Sequence, residues 1–148
     1  MTNTNLPLVV DLDGTLIKTD LLVESFLALI KKNHLYIFSV ISWLLRGKAA
    51  LKNEIAMRVD IDVSVLPYNK SVVKYLKEQK AQGRVIALAT ASHQKYAFQV
   101  AEHLGLFDRV FATHGDVNVA SGEKSRLLCE AYGHQGFVYA GNAEPDLK

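Results

Sequence analysis

Short apolar runs with the look of buried strands alternate with helical patterns along this chain, and that alternation limits the folds open to it. Leu8 to Leu12 reads as a buried strand that ends among acidic residues. Arg84 to Thr90, with VIALA in its middle, reads as a second strand, Arg109 to Ala112 as a weak third, and Gly136 to Ala140 as a fourth. Between the later strands the pattern is helical. Asn69 to Gln82 carries Val72, Val73 and Leu76 on one side and stops at Gly83. A helix capped by Ser92 places Ala97, Val100, Ala101 and Leu104 at helical spacing and ends at Gly105. Glu123 to Tyr132 forms a helix closed by Gly133. Strands alternating with helices predict an α/β fold, a parallel sheet covered on both faces.

Three expected helices, Leu21 to Lys31, Leu35 to Arg46 and Lys48 to Arg58, break that rhythm before the second strand. They read as an insertion packing over the carboxyl edge of the sheet, where open α/β sheets bind ligands. The expected division is a core of residues 1–20 and 69–148 with a helical insertion over 21–68. A length of 148 residues suits one domain.

Seventeen basic and fifteen acidic residues give a net charge of +2, too even to imply a nucleic-acid surface. The single cysteine, Cys129, excludes an internal disulfide framework and a multi-cysteine zinc site. The five histidines show no ligand spacing on one element; His93, close after Thr90, is a candidate to approach a bound phosphate. Met1 to Asn5 are polar, and Pro7 and Asp11 follow too soon for a signal peptide. The longest apolar run, Leu35 to Leu45, falls well short of the roughly 20 residues of a spanning helix. Lys31 and Lys32 precede it, and Arg46 and Lys48 follow. It reads either as a packed helix, with Phe38 and Trp43 in the core, or as a helix lying at a membrane surface with its basic flanks near headgroups.

Chemistry concentrates in Asp11-Leu12-Asp13-Gly14-Thr15, at the end of the first strand. Two carboxylates two residues apart, where a strand becomes a loop, can aim at one point, and Gly14 frees the backbone for a sharp turn. Such a pair suits a hard cation such as Mg²⁺. It also suits two-step chemistry, one carboxylate acting as nucleophile and the other as acid and base.

With Thr90 closing VIALAT, Lys124 in Gly-Glu-Lys-Ser, and Asp146 in Gly141-Asn142-Ala143-Glu144-Pro145-Asp146, the motif order resembles the haloacid dehalogenase (HAD) superfamily of phosphotransferases. The resemblance implies a Rossmann-like three-layer fold with a small helical cap, and Mg²⁺-dependent hydrolysis of a small phosphomonoester. It implies that Asp11 attacks phosphorus, that Asp13 acts as acid and then base, and that Thr90 donates to a phosphoryl oxygen. Lys124 offsets the crowded negative charge. Gly14, Thr15, Ala91 and Ser92 line the substrate, and Asp11, Asp13, Asn142 and Asp146 hold Mg²⁺. The usual fourth motif has an acid where this chain has Asn142. Weaker Mg²⁺ binding is therefore expected, with Asp146, or Glu144 in its place, as the main acid there.

A narrower resemblance rests on PLVVDLDGTLIKTD, LPYN, ALATAS, HLGLFDRVFA and YAGNAEPDL. These segments resemble the N-terminal HAD domain of bacterial proteins in which a UbiA-type membrane prenyltransferase follows. That implies a cytoplasmic domain, possible contact with the membrane face, and a prenyltransferase partner C-terminal to it. The last strand of the HAD sheet is expected to be missing, and the chain to be a piece of a longer protein. A catalytically weak binding or regulatory module attached to the prenyltransferase is the alternative function.

Overall fold

The structure, a computed structural model, describes residues 6–115, 117–133 and 136–140. Four strands, β1 (Leu8–Asp11), β2 (Ile86–His93), β3 (Arg109–Thr113) and β4 (Val138–Ala140), form one parallel sheet in the order β3-β2-β1-β4. Leu8 lies opposite both Ile86 and Val138, so β1 is the spine of the sheet. Among the described residues six α-helices accompany the sheet: α1 (Leu21–Lys32), α2 (Tyr36–Leu45), α3 (Lys48–Ala56), α4 (Lys70–Ala81), α5 (Gln94–Leu104) and α6 (Ser121–Tyr132).

Side chains alternate across the sheet, and each set meets its own helices. Leu8 and Val10 of β1 join Ile86 and Leu88 of β2 in a core closed by Leu76 of α4 and by Ala97 and Val100 of α5. Val9, Ala87, Ala89 and Phe111 face the other way, against Leu128 of α6. Both faces are covered because Leu8–Val10 of β1 and Ile86–Ala89 of β2 are apolar at every position, as buried parallel strands are. A third cluster, Leu29, Val40, Trp43, Leu51, Ile55 and Val59, belongs to the α1–α3 insertion.

Local departures from the sequence reading have identifiable causes. β2 runs on to His93, with a register irregularity between Ala89 and His93. The expected cap at Ser92 is not used. His93 takes that role, its Nδ1 accepting from Lys95 N at 3.1 Å, because the Ser92 hydroxyl is drawn to Asp13. Trp43 is buried as expected, but Phe38 is not in the core and is 69% exposed. One ten-residue helix cannot turn both residues inward when they lie five positions apart. The edges of the sheet among the described residues are β3 and β4. None of the described helices is long and apolar enough to cross a membrane.

Candidate active site

The loop after β1 turns back on Leu12, whose carbonyl accepts from Thr15 N and Ile17 N at 3.3 and 3.0 Å. Gly14 sits at φ 79°, a left-handed conformation that a side chain would strain. This turn leaves Asp11 and Asp13 at the carboxyl end of the sheet in different surroundings.

Asp11 meets a cation. Lys124 Nζ, from the first turns of α6, lies 3.2 Å from Asp11 Oδ1 and donates to the Tyr139 hydroxyl of β4 at 3.0 Å. Burial alone would lower the lysine's pKa, but the Asp11 carboxylate and Tyr139 outweigh it and the net shift is upward. Lys124 is therefore a charged ammonium at neutral pH, held between nucleophile candidate and edge strand.

Asp13 meets hydrogen-bond donors instead. Its Oδ1 accepts from Leu21 N, the first residue of α1, at 2.8 Å. Its Oδ2 accepts from the Ser92 hydroxyl at 2.7 Å and the Thr90 hydroxyl at 3.2 Å. Thr90 Oγ1 in turn accepts from Ser92 N at 3.0 Å. Burial raises the Asp13 pKa above 3.8, with Asp20 and Asp11 adding to the rise and the Leu21 and Ser92 bonds opposing it. A carboxyl so placed holds its proton to a higher pH than an exposed one, which suits a general acid.

Thr15 Oγ1 is buried without a partner among the described residues. Ala91 contributes its carbonyl, which accepts from Lys52 Nζ at 2.8 Å and from the Thr113 hydroxyl at 2.7 Å. Asn142, Glu144 and Asp146 lie outside the described residues. His93 lines a cavity beside Ser92 and Lys52. Its Nδ1 caps α5 and its Nε2 lies 2.8 Å from Asn53 Oδ1, which fixes a neutral ring protonated at Nε2. Burial lowers its pKa, and Lys95 and His114 do so further.

The sequence reading missed two residues. Lys52 reaches from α3 to the core, donating also to Asn118 Oδ1 at 2.7 Å. Burial lowers its pKa, with Asp13 opposing. Nothing in the helical pattern of α3 distinguishes Lys52 from a solvated lysine. Tyr139 was legible in principle: between Val138 and Ala140, strand alternation turns it to the α6 face, where Lys124 lies.

The insertion meets the core along a seam between α1, α3 and the β2–α5 junction. Lys52, the Asn53–His93 pair, and Tyr96 donating to Val59 O at 2.7 Å tie it shut. The cavity left between Leu21, Ser25, Lys52, Ser92 and Tyr96 is ≈ 10 Å³, about enough for one water.

Comparison with known proteins agrees with this architecture. The chain superposes on a substrate-bound phosphoserine phosphatase with a TM-score of 0.57 at 16% identity, covering 93% of this chain and 77% of that one. A phospho-aspartyl intermediate analogue of phosphoserine phosphatase gives 0.57 at 17%, covering 93% and 78%. A hydrolase from Streptococcus pneumoniae gives 0.54 at 17%, covering 97% and 86%. The chain thus shares the α/β fold of these phosphatases and hydrolases. In sequence it is 35% identical over 143 residues to the uncharacterized protein y4nM of Sinorhizobium fredii. That match covers 96% of this chain but only 27% of the relative's length. No protein-family model matches the sequence.

Proposed function

We propose that this chain is a phosphomonoester hydrolase working through an aspartyl-phosphate. The observation that carries the reading is the unequal treatment of two neighbouring carboxylates. Asp11 is paired with a charged lysine, and Asp13 is buried among hydroxyl and amide donors with its pKa raised. Such a division assigns a nucleophile and an acid. An Asp11 carboxylate oxygen attacks phosphorus as the P–O bond to the leaving group breaks, and Asp13 gives the leaving oxygen its proton. Asp13, now a carboxylate, takes a proton from water attacking the acyl-phosphate, which frees Asp11 and inorganic phosphate. Lys124 stays beside the charge gathering at Asp11. Thr90 and Ser92, whose hydroxyls lie on Asp13, are the donors offered to a phosphoryl oxygen.

The donor set is all oxygen, and Asp11 has one carboxylate oxygen uncommitted among the described residues, which suits a hard cation. Asp11 and the Asp13 carbonyl, with Asn142 and Asp146, are the residues that would hold Mg²⁺. When bound, it supplies neutralisation of charge around the phosphoryl group. Helices α1 and α3 pack over the carboxyl end of the sheet beside Asp13, and a cover of this kind favours small substrates. We also propose a UbiA-type prenyltransferase C-terminal to such a domain as its partner. The relative, of which the match covers 27%, is long enough for one. Asn142 keeps a second reading in view, a phosphate-binding module with weak turnover.

The test is turnover of p-nitrophenyl phosphate and a panel of metabolite phosphates with Mg²⁺, on wild type and Asp11→Asn. Turnover lost in Asp11→Asn is the expected result, and equal turnover in both overturns the proposal. Binding of a phosphate analogue without turnover selects the second reading.

A further inference from the structure

Helix α2 is apolar on both of its sides. Val40 and Trp43 point into the insertion's own core, each 8% exposed. On the outer side, Phe38, Ile41, Leu44 and Leu45 recur at helical spacing and are half-exposed or more, Leu45 reaching 85%. With Val23 and Leu27 of α1 and Leu35 and Ile37 they make eight of the fourteen exposed large hydrophobics among the described residues, within a 23-residue span. A helix apolar all round is normally buried, and a contiguous exposed apolar patch marks an interaction surface.

The charges around the patch indicate its occupant. Within the span the one acid is Glu24, which accepts from the Thr19 hydroxyl at 2.8 Å; from Ser25 to Asn53 there is none, while Lys31, Lys32, Arg46, Lys48 and Lys52 are all cationic. Lys52 is spent on the seam, Lys32 donates to Arg58 O at 2.7 Å, and Arg46 pairs with Glu54 at 3.3 Å. Lys31 and Lys48 are exposed, with no ion-pair partner among the described residues. These two lie near opposite ends of the apolar stripe. A second copy of this chain docking antiparallel along α2 brings cations against cations with no acid on α2 to offset them. An anionic bilayer satisfies both features at once, the acyl boundary taking the apolar face and the headgroups taking the flanking cations.

We infer that the outer face of α2, with Lys31 and Lys48 at its flanks, seats this protein on an anionic lipid surface. The inference stands apart from the phosphatase reading, since none of these residues touches the carboxylates.

The experiment is cosedimentation with vesicles of phosphatidylcholine alone and of phosphatidylcholine with phosphatidylglycerol, alongside light scattering for oligomeric state. The wild type is expected to bind the anionic vesicles, to release in high salt, and to ignore the neutral ones. The combined Phe38→Ser, Ile41→Ser, Leu45→Ser variant loses binding by roughly tenfold or more. Lys31→Glu with Lys48→Glu, a second variant that leaves the apolar face intact, loses a comparable amount. Lys74→Glu with Lys77→Glu on α4 makes the same change in net charge elsewhere and keeps binding. Circular dichroism verifies the fold of each variant. The inference is overturned by absence of vesicle binding or by binding unchanged in the triple-serine variant. It is equally overturned if the α4 variant loses as much as the α2 charge variant. A wild-type dimer that the triple-serine variant makes monomeric, without vesicle binding, overturns it in favour of a second copy.

Discussion

Two regions of this molecule invert the ordinary distribution of residues, in opposite senses. At the carboxyl end of the sheet polar groups are inside: Thr15, Thr90, Ser92 and Thr113 are buried, with Thr90 and Ser92 on Asp13. On the outer side of the helical insertion apolar groups are outside, Phe38 and Leu45 most of all. Buried polar groups cost stability unless partnered, and exposed apolar groups gain nothing until covered. The first region offsets most of its cost through the hydrogen bonds of Thr90 and Ser92 to Asp13, leaving Thr15 Oγ1 without a partner among the described residues, so single atoms matter there. The second spreads its unburied area over many side chains, so no single one matters to the isolated fold. The contrast separates a site that acts on a small polar group from a surface that acts by area.

That contrast is broken or sharpened by substitution. The largest effect is expected at Asp13→Asn, which keeps the Leu21 contact but has no proton to give. Turnover of a phosphomonoester with a poor leaving group should fall by about 10²–10⁴-fold, measured as kcat. Lys124→Met should follow with a loss of about 10²–10³-fold in kcat/KM, because the charge at Asp11 then has no lysine beside it. Third, α2 itself offers the sharpest internal control. Trp43→Ala, on its inner side, should cost about 3 kcal/mol in chemical denaturation, while Phe38→Ser, on its outer side, should stay within about 0.5 kcal/mol. Equal costs would erase the distinction between the two faces.

The smallest effect concerns pH. The Asp13 carboxyl is held above its ordinary value of 3.8, so the folded chain binds that proton more tightly than the unfolded chain. Stability contributed by this group is present at low pH and falls as the pH rises from the ordinary value through the folded one. Asp13→Asn removes that decline, so the difference in Tm between wild type and variant should turn in the variant's favour across this window.

Much of the architecture was legible in the sequence, for physical reasons. The apolar runs of β1 and β2 fit only a sheet covered on both faces, and Asp11, Asp13, Thr90 and Lys124 fall where strand ends and helix starts converge. What was not legible depends on contacts between distant segments. Ser92 looks like a helix cap until Asp13, 79 residues away, competes for its hydroxyl. Lys52 looks solvated until the insertion folds across β2. Phe38 looks like core because an apolar run does not say which of its members face outward, and only the packing of Val40 and Trp43 on Leu29 and Ile55 fixes the rotation of α2.

The Tyr139 hydroxyl sits on β4, a strand of three residues whose only strand partner among the described residues is β1. The lysine beside Asp11 therefore takes part of its hold from a second strand, so the charge balance at Asp11 depends on the pairing of β4 with β1 as well as on the placement of α6.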